Sequence, residues 1–242
     1  MRFSKITCEA YGSFTLSAAG PIIIRSTDET KLTPETANAI FLRSGTGDGK
    51  EAFVIPGSSI KGVVRHYLET APDLPKLLRV SDMKQFWTKL FGTVDKPAIK
   101  SKISFSDAFA DMNTVETSMR YQTRIDAITQ GAARSSLNSI QAVTKGDFRC
   151  SFRIRNLNAN ELAVFAKAMA AFDSGELCIG GRVSRGYGMV RIKDFDMVLT
   201  DGYDADLRPR ILRKCTSLEE FLTELEHVKA MIPEGGNANA TG

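Results

Sequence analysis

The sequence is poor in the residues that most often build catalytic and metal centres. Histidine occurs only twice in 242 residues, at His66 and His227. Imidazole is the commonest general acid or base, so metal-free proton-transfer chemistry has few candidates here. Neither histidine belongs to a readable Ser-His-Asp arrangement or metal cluster, and both are expected to be surface or structural residues. The four cysteines, Cys8, Cys150, Cys178 and Cys215, are widely scattered with no C-x-x-C pair. That spacing suggests neither zinc nor a disulfide framework, and predicts free, mostly buried thiols. No cofactor and no metal are expected. No apolar run approaches the ~18–20 residues that span a bilayer. The opening MRFSKITCEAYG lacks the apolar core of a secretion signal, so a cytoplasmic location away from membranes is expected.

What is present is an ordinary globular composition, 43% hydrophobic and 25% charged, on a chain long enough for one large core. The net charge of +4 is unevenly distributed. Between Thr117 and Arg155 stand seven Lys or Arg (Arg120, Arg124, Arg134, Lys145, Arg149, Arg153, Arg155) against Asp126 and Asp147. That stretch carries +5 and leaves −1 for the rest, a local cationic strip that points to a polyanion.

Residues 2 to 11 alternate as a first strand, with Phe3, Ile6, Cys8 and Ala10 available to one face. The segment from 20 to 51, broken by Pro21, Pro34, Gly45, Gly47 and Gly49, reads as a long loop or finger-like insertion. A strand over 52–55 feeds a helix whose apolar stripe is Ile60, Val63, Val64, Tyr67 and Leu68. Gly62 inside this helix suggests close approach of another backbone. A short helix over 82–91 buries Phe86, Trp87, Leu90 and Phe91, and 102–110 reads as a second core strand. In GDFRCSFRIR (146–155), Phe148, Cys150, Phe152 and Ile154 alternate with Arg149, Ser151, Arg153 and Arg155, giving one core face and one arginine-rich face. A helix over 160–172 and a strand over 189–199 follow. A C-terminal helix over 216–231 is announced by Ser217 and Glu220 in capping-box spacing. The tail from 232 to 242 is expected to be disordered.

Without its insertions the order is strand, helix, strand, strand, helix, strand. This predicts an α+β, ferredoxin-like (RRM-like) antiparallel sheet with helices on one face, spanning residues 1–215. Two motifs stand out on it. IPGSSIKGVVR places Ser58 and Ser59, either a potential cap, at a helix start with Lys61 and Arg65 on one ridge. A docked anion would relieve the added positive charge there. GGRVSRGYG (180–188) is not a Walker loop, because Tyr187 and Gly188 replace the Lys and Ser/Thr. It offers Arg182 and Arg185 to phosphates and Tyr187 for stacking or packing.

Together the two motifs resemble the RAMP superfamily of CRISPR-associated proteins, and RYQTRIDAIT followed by FRCSFRI resembles that family's thumb and its next strand. The resemblance runs over about residues 1–200. It implies a repeated backbone subunit of a type III-like or type IV-like effector complex, a ribonucleoprotein of antiviral defence, with a thumb at about 117–145. Such a protein oligomerises along a CRISPR RNA and presents it to target nucleic acid beside other effector subunits. The residues matching the family's RNA contacts are Ser58, Ser59, Lys61 and Arg65 at the helix start. Arg182, Ser184, Arg185 and Tyr187 match in the glycine loop, and Arg120, Tyr121, Arg124 and Ile125 match in the thumb. The family's ribonuclease aspartate has no clean counterpart, since Thr36, Ala37 and Asn38 fall where it is expected. The resemblance therefore implies a subunit without cleavage, with Asp28 and Glu35 as the weak catalytic candidates otherwise. An unrelated ferredoxin-like nucleotide-binding protein is the remaining alternative.

Overall fold

The computed structural model describes residues 7–26, 40–47, 49–123, 125, 127, 129–132, 138–204 and 208–233. Its main sheet is built on β1 (Glu9–Ala18), β8 (Asp147–Arg155) and β9 (Val190–Tyr203), with β1 antiparallel to both neighbours. The short strands β4 (Ile103–Phe105) and β5 (Ala108–Ala110) pair with the outer side of β8. The resulting order, β9-β1-β8-β4/β5, is that of the ferredoxin-like fold. The sheet continues past this core in both directions. β10 (Pro209–Cys215) joins β9, while β3 (Glu51–Ile55) and β2 (Arg43–Gly45) extend the sheet beyond β5.

Helices α1 (Gly57–Thr70) and α4 (Ala159–Ser174) lie on one face of this sheet. The alternation of β8 decides which face: Phe148, Cys150, Phe152 and Ile154 are buried, whereas Arg149, Ser151 and Arg153 are exposed. The buried set meets Phe14 and Leu16 of β1, Ile60 and Val64 of α1, and Leu162, Phe165 and Met169 of α4 in one continuous core. Two helices complete the α1 side, α2 (Leu74–Leu78) and α3 (Met83–Phe91), the latter capped by Asp82, which accepts from the Gln85 N–H at 2.8 Å. The C-terminal segment forms two short helices, α5 (Leu218–Thr223) and α6 (Leu225–Ala230), where one was expected. Phe221 carries them into the core by stacking on Phe195, with ring centroids 5.5 Å apart.

Several local expectations change. The first strand runs from Glu9 to Ala18, past the predicted end at residue 11, because Gly12 continues it; residues 2–6 of the predicted strand, with Phe3 and Ile6, lie outside the described residues. A Cβ at Gly12 would meet the Asp196 carbonyl oxygen of β9 at 2.0 Å, so glycine is what permits the two strands to approach there. Gly62 meets nothing within 4 Å, and the close approach belongs to Gly57, packed on the Phe105 and Ser106 carbonyls. The strand predicted over 102–110 breaks at Ser106 and Asp107. The described ends of the 20–51 segment are packed: Ile22, Ile23 and Phe41 are buried, and Phe41 stacks on Phe148 at 6.0 Å.

A hairpin stands apart from the main sheet. β6 (Glu116–Gln122) pairs antiparallel with β7 (Asn138–Lys145), and an Ile125–Ala132 bridge extends it. Its base is tied to the body by two backbone bonds between Ile22 and Val143, at 2.8 and 3.0 Å.

Candidate nucleic-acid interface

The start of α1 differs from a serine-capped helix. Pro56 occupies the N-cap, so Ser58 and Ser59 fall inside the first turn, Ser58 exposed and Ser59 half-buried. The Gly57 N–H donates to Asp107 Oδ1 at 2.8 Å, and this carboxylate comes from the break between β4 and β5. The helix start thus already holds an anionic group from its own chain, which complements the helix dipole. Along the ridge, Lys61 Nζ donates to Ser101 Oγ at 2.8 Å, and Arg65 pairs with Glu69 at 2.7 Å. Burial, reinforced by the Arg65 charge, lowers the Lys61 pKa from the ordinary lysine value. An approaching anion would oppose both effects.

The glycine loop is shaped by backbone approach. Gly180 and Gly188 have φ of +88° and +90°, and a Cβ at either would lie 2.3 Å from a carbonyl oxygen, of Ile23 and Ile179 respectively. Only glycine fits both the φ and the space. Gly181 N–H donates to Ile23 and Gly188 N–H to Pro21, which strap the loop to the 21–23 segment. Between the straps, Val183–Arg185 form a single 3₁₀ turn that leaves Ser184 and Arg185 exposed and Arg182 half-buried. Tyr187 turns inward against Ile23, Ile140 and Ala142, so packing, not free stacking, holds its ring.

The loop reaches the hairpin through Gln122, a residue that the sequence reading did not single out. Arg185 Nη1 donates to Gln122 Oε1 at 2.5 Å, and Gln122 Nε2 donates to Tyr187 Oη at 3.3 Å. Arg120, Tyr121 and Ile125 project from the hairpin with exposed side chains. The loop and the hairpin therefore meet at Gln122, next in sequence to Tyr121 and two residues from Arg120. The α1 start connects to them less directly, through a backbone run from Gly181 to Ile23, Ile24 to Leu42, and Leu42 to Val54 of β3, which leads into α1. Arg124, Asp28 and Glu35 lie outside the described residues. His66 and His227 are both exposed, and among the described residues no group of three His, Cys, Asp or Glu can hold a metal.

The helix-free face of the sheet carries a second basic feature. Tyr11, Ser13, Ser104, Ser106, Arg149 and Arg153 line an open groove of about 630 Å³. Arg153 lies over the Tyr11 ring at 5.5 Å, and Arg149 donates to Ser13 Oγ at 3.4 Å. The strand alternation signalled the arginines of this face. The serines Ser13, Ser104 and Ser106 arrive from two other segments, so no local pattern marks them.

A family model described as the RAMP superfamily matches residues 15–191. The chain belongs to the RAMP superfamily. Its RAMP region includes the α1 start, the hairpin and the glycine loop, while β10, α5 and α6 lie beyond the match. Over 182 residues the chain is 29% identical to the CRISPR system Cms endoribonuclease Csm3 of Enterococcus italicus, covering 61% of this chain and 75% of that protein. Over 151 residues it is 29% identical to the protein of the same name from Streptococcus thermophilus, covering 57% and 67%. A chain in the crystal structure of a Csm3–Csm4 subcomplex of the type III-A CRISPR-Cas interference complex matches with a TM-score of 0.53 and 17% identity. The match covers 92% of this chain and 97% of that one, and at this identity it shows a shared fold.

Proposed function

We propose that the chain is a CRISPR RNA-binding backbone subunit of a type III-like effector complex. Copies assemble along the guide beside other effector subunits and present it to target nucleic acid, in the cytoplasm. One observation carries this reading: in a RAMP-superfamily chain, the arginine-bearing glycine loop is hydrogen-bonded to the protruding hairpin at Gln122. On this reading the β6–β7 hairpin is the thumb, and the sheet with α1 and α4 is the palm. Arg182, Ser184 and Arg185 take guide phosphates, as do Lys61 and Arg65. Ser58 and Ser59 offer hydroxyls beside them, while Arg120, Tyr121, Arg124 and Ile125 contact the guide from the thumb. Tyr187 holds the loop in shape from below. Among the described residues, no helix is long and apolar enough to cross a membrane.

The deciding experiment expresses the chain with its neighbouring genes and a CRISPR array, then sequences the nucleic acid that co-purifies. RNA of one uniform length in a multi-copy particle is expected. A monomer free of RNA at low salt would end the proposal and leave the RAMP membership as one of fold alone.

The names of both relatives favour a second reading, in which the subunit also cuts target RNA. Its acid would come from the 20–51 segment, with Asp28 and Glu35 as candidates. Guide-dependent cleavage that survives neither Asp28→Ala nor Glu35→Ala would establish it. An intact target with the native chain would reject it.

A further inference from the structure

Gln122 ends β6, paired with Asn138 at the last position of the regular hairpin register. It is half-buried and uncharged, yet both ends of its amide engage the glycine loop, the oxygen at Arg185 and the nitrogen at Tyr187. A neutral acceptor uses one of the five guanidinium N–H donors of Arg185 without cancelling its charge, which leaves a fork free for a phosphate. A carboxylate in the same place would satisfy the guanidinium as an ion pair. On the other side, the Tyr187 ring packs against Ile140 and Ala142 of β7 as well as Ile23, so the loop is also seated on the hairpin's second strand.

We infer that Gln122 is a positioning residue for RNA binding: it aims Arg185 at a backbone phosphate and couples the hairpin to the glycine loop. The inference rests on the proposed function. It adds to the apolar seat of Tyr187 on β7 a polar link on β6, the one that reaches the arginine. Arg185 is then the group that touches RNA, and Gln122 acts through it.

The test measures binding of the full-length chain to a fluorescein-labelled single-stranded RNA oligonucleotide across a salt titration. The variants are Arg185→Ala, Gln122→Ala, Gln122→Glu and the double variant Gln122→Ala/Arg185→Ala. Removing one phosphate contact makes the slope of log K against log salt shallower by about 0.7 for a single strand. Arg185→Ala and Gln122→Glu are each expected to show that change. Gln122→Ala is expected to weaken binding although it removes no charge, and the double variant to bind no worse than Arg185→Ala alone. A change confined to hairpin stability would lower the melting temperature and leave the slope unmoved. Should Gln122→Ala fold poorly, Gln122→Glu retains an acceptor for Arg185 and still reports the slope. Wild-type binding by Gln122→Ala, or additive losses in the double variant, would overturn the inference while the proposed function stands. Wild-type binding by Arg185→Ala would overturn the inference and remove Arg185 from the interface, whereas no RNA binding by the native chain would overturn the proposed function as well.

Discussion

Single residues in this protein are tuned by burial more than by partners. Burial pushes the thiols of Cys8 and Cys150 up to about 12, and Cys215 is raised in the same direction. Only the thiolate reacts readily, so these three are chemically quiet at neutral pH. We expect iodoacetamide at pH 8 to modify the half-buried Cys178 first in the native protein; mass spectrometry of the labelled peptides would show the order. Lys61 is shifted the other way. With its folded pKa lowered, its charge costs stability below that pKa, and the cost fades as pH rises toward the unfolded lysine value of 10.5. A bound phosphate should reverse the shift. Lys61→Glu is therefore expected to weaken RNA binding at least about tenfold for all sequences alike, as a phosphate contact does. A complex bearing the change with unaltered affinity in a filter-binding titration would remove Lys61 from the interface. The composition of this ridge was legible in the sequence. Asp107 at its head was not, because it is about fifty positions away and meets Gly57 only where β4 breaks from β5.

At the scale of elements, the junction of β4 with α4 carries the most concentrated polar chemistry of the core. Lys102 Nζ donates to both oxygens of the nearly inaccessible Glu161, at 2.7 and 2.9 Å, and to the Asn156 carbonyl at 2.9 Å. Glu161 also completes the capping box of α4 with Asn158. Lys102→Met would leave a buried carboxylate without its cation. We expect that to cost about 3–5 kcal/mol, readable as a lower urea midpoint with an unchanged m-value. The capping box has a local signature in Asn158 and Glu161, three residues apart, whereas the sequence does not show that Lys102 would complete it. The glycine loop behaves similarly. Its four glycines announce an unusual backbone, but which of them is indispensable depends on the carbonyls of Ile23 and Ile179 that press against it. Gly180→Ala is expected to weaken RNA binding with no loss of charge. The loop would have to move off the 21–23 segment, and circular dichroism of the folded core would stay the same.

For the whole molecule, the segment beyond the RAMP match is part of the core and not an appendage. Phe221 of α5 is fully buried, stacked on Phe195 of β9 and 6.2 Å from Phe165 of α4. Phe221→Ala is expected to lower stability by about 3–5 kcal/mol, because the cavity would open inside the palm. A melting temperature within a degree of the native chain would show instead that the C-terminal helices dock independently.

Alternation and periodicity by themselves determined the order of the core strands and helices, the buried face of β8, the stripes of α1 and α4, and so the ferredoxin-like plan, but not β2, β10 or the break between β4 and β5. These are local patterns, and burial of an apolar face at period two or 3.6 leaves few other ways to fold. The tertiary structure alone decided which distant groups meet: Asp107 at the start of α1, Lys102 at Glu161, and Gln122 between Arg185 and Tyr187. Each pairing joins residues from separate elements through side-chain hydrogen bonds. Such bonds depend on the packing of several segments at once and leave no trace in the spacing of a single one.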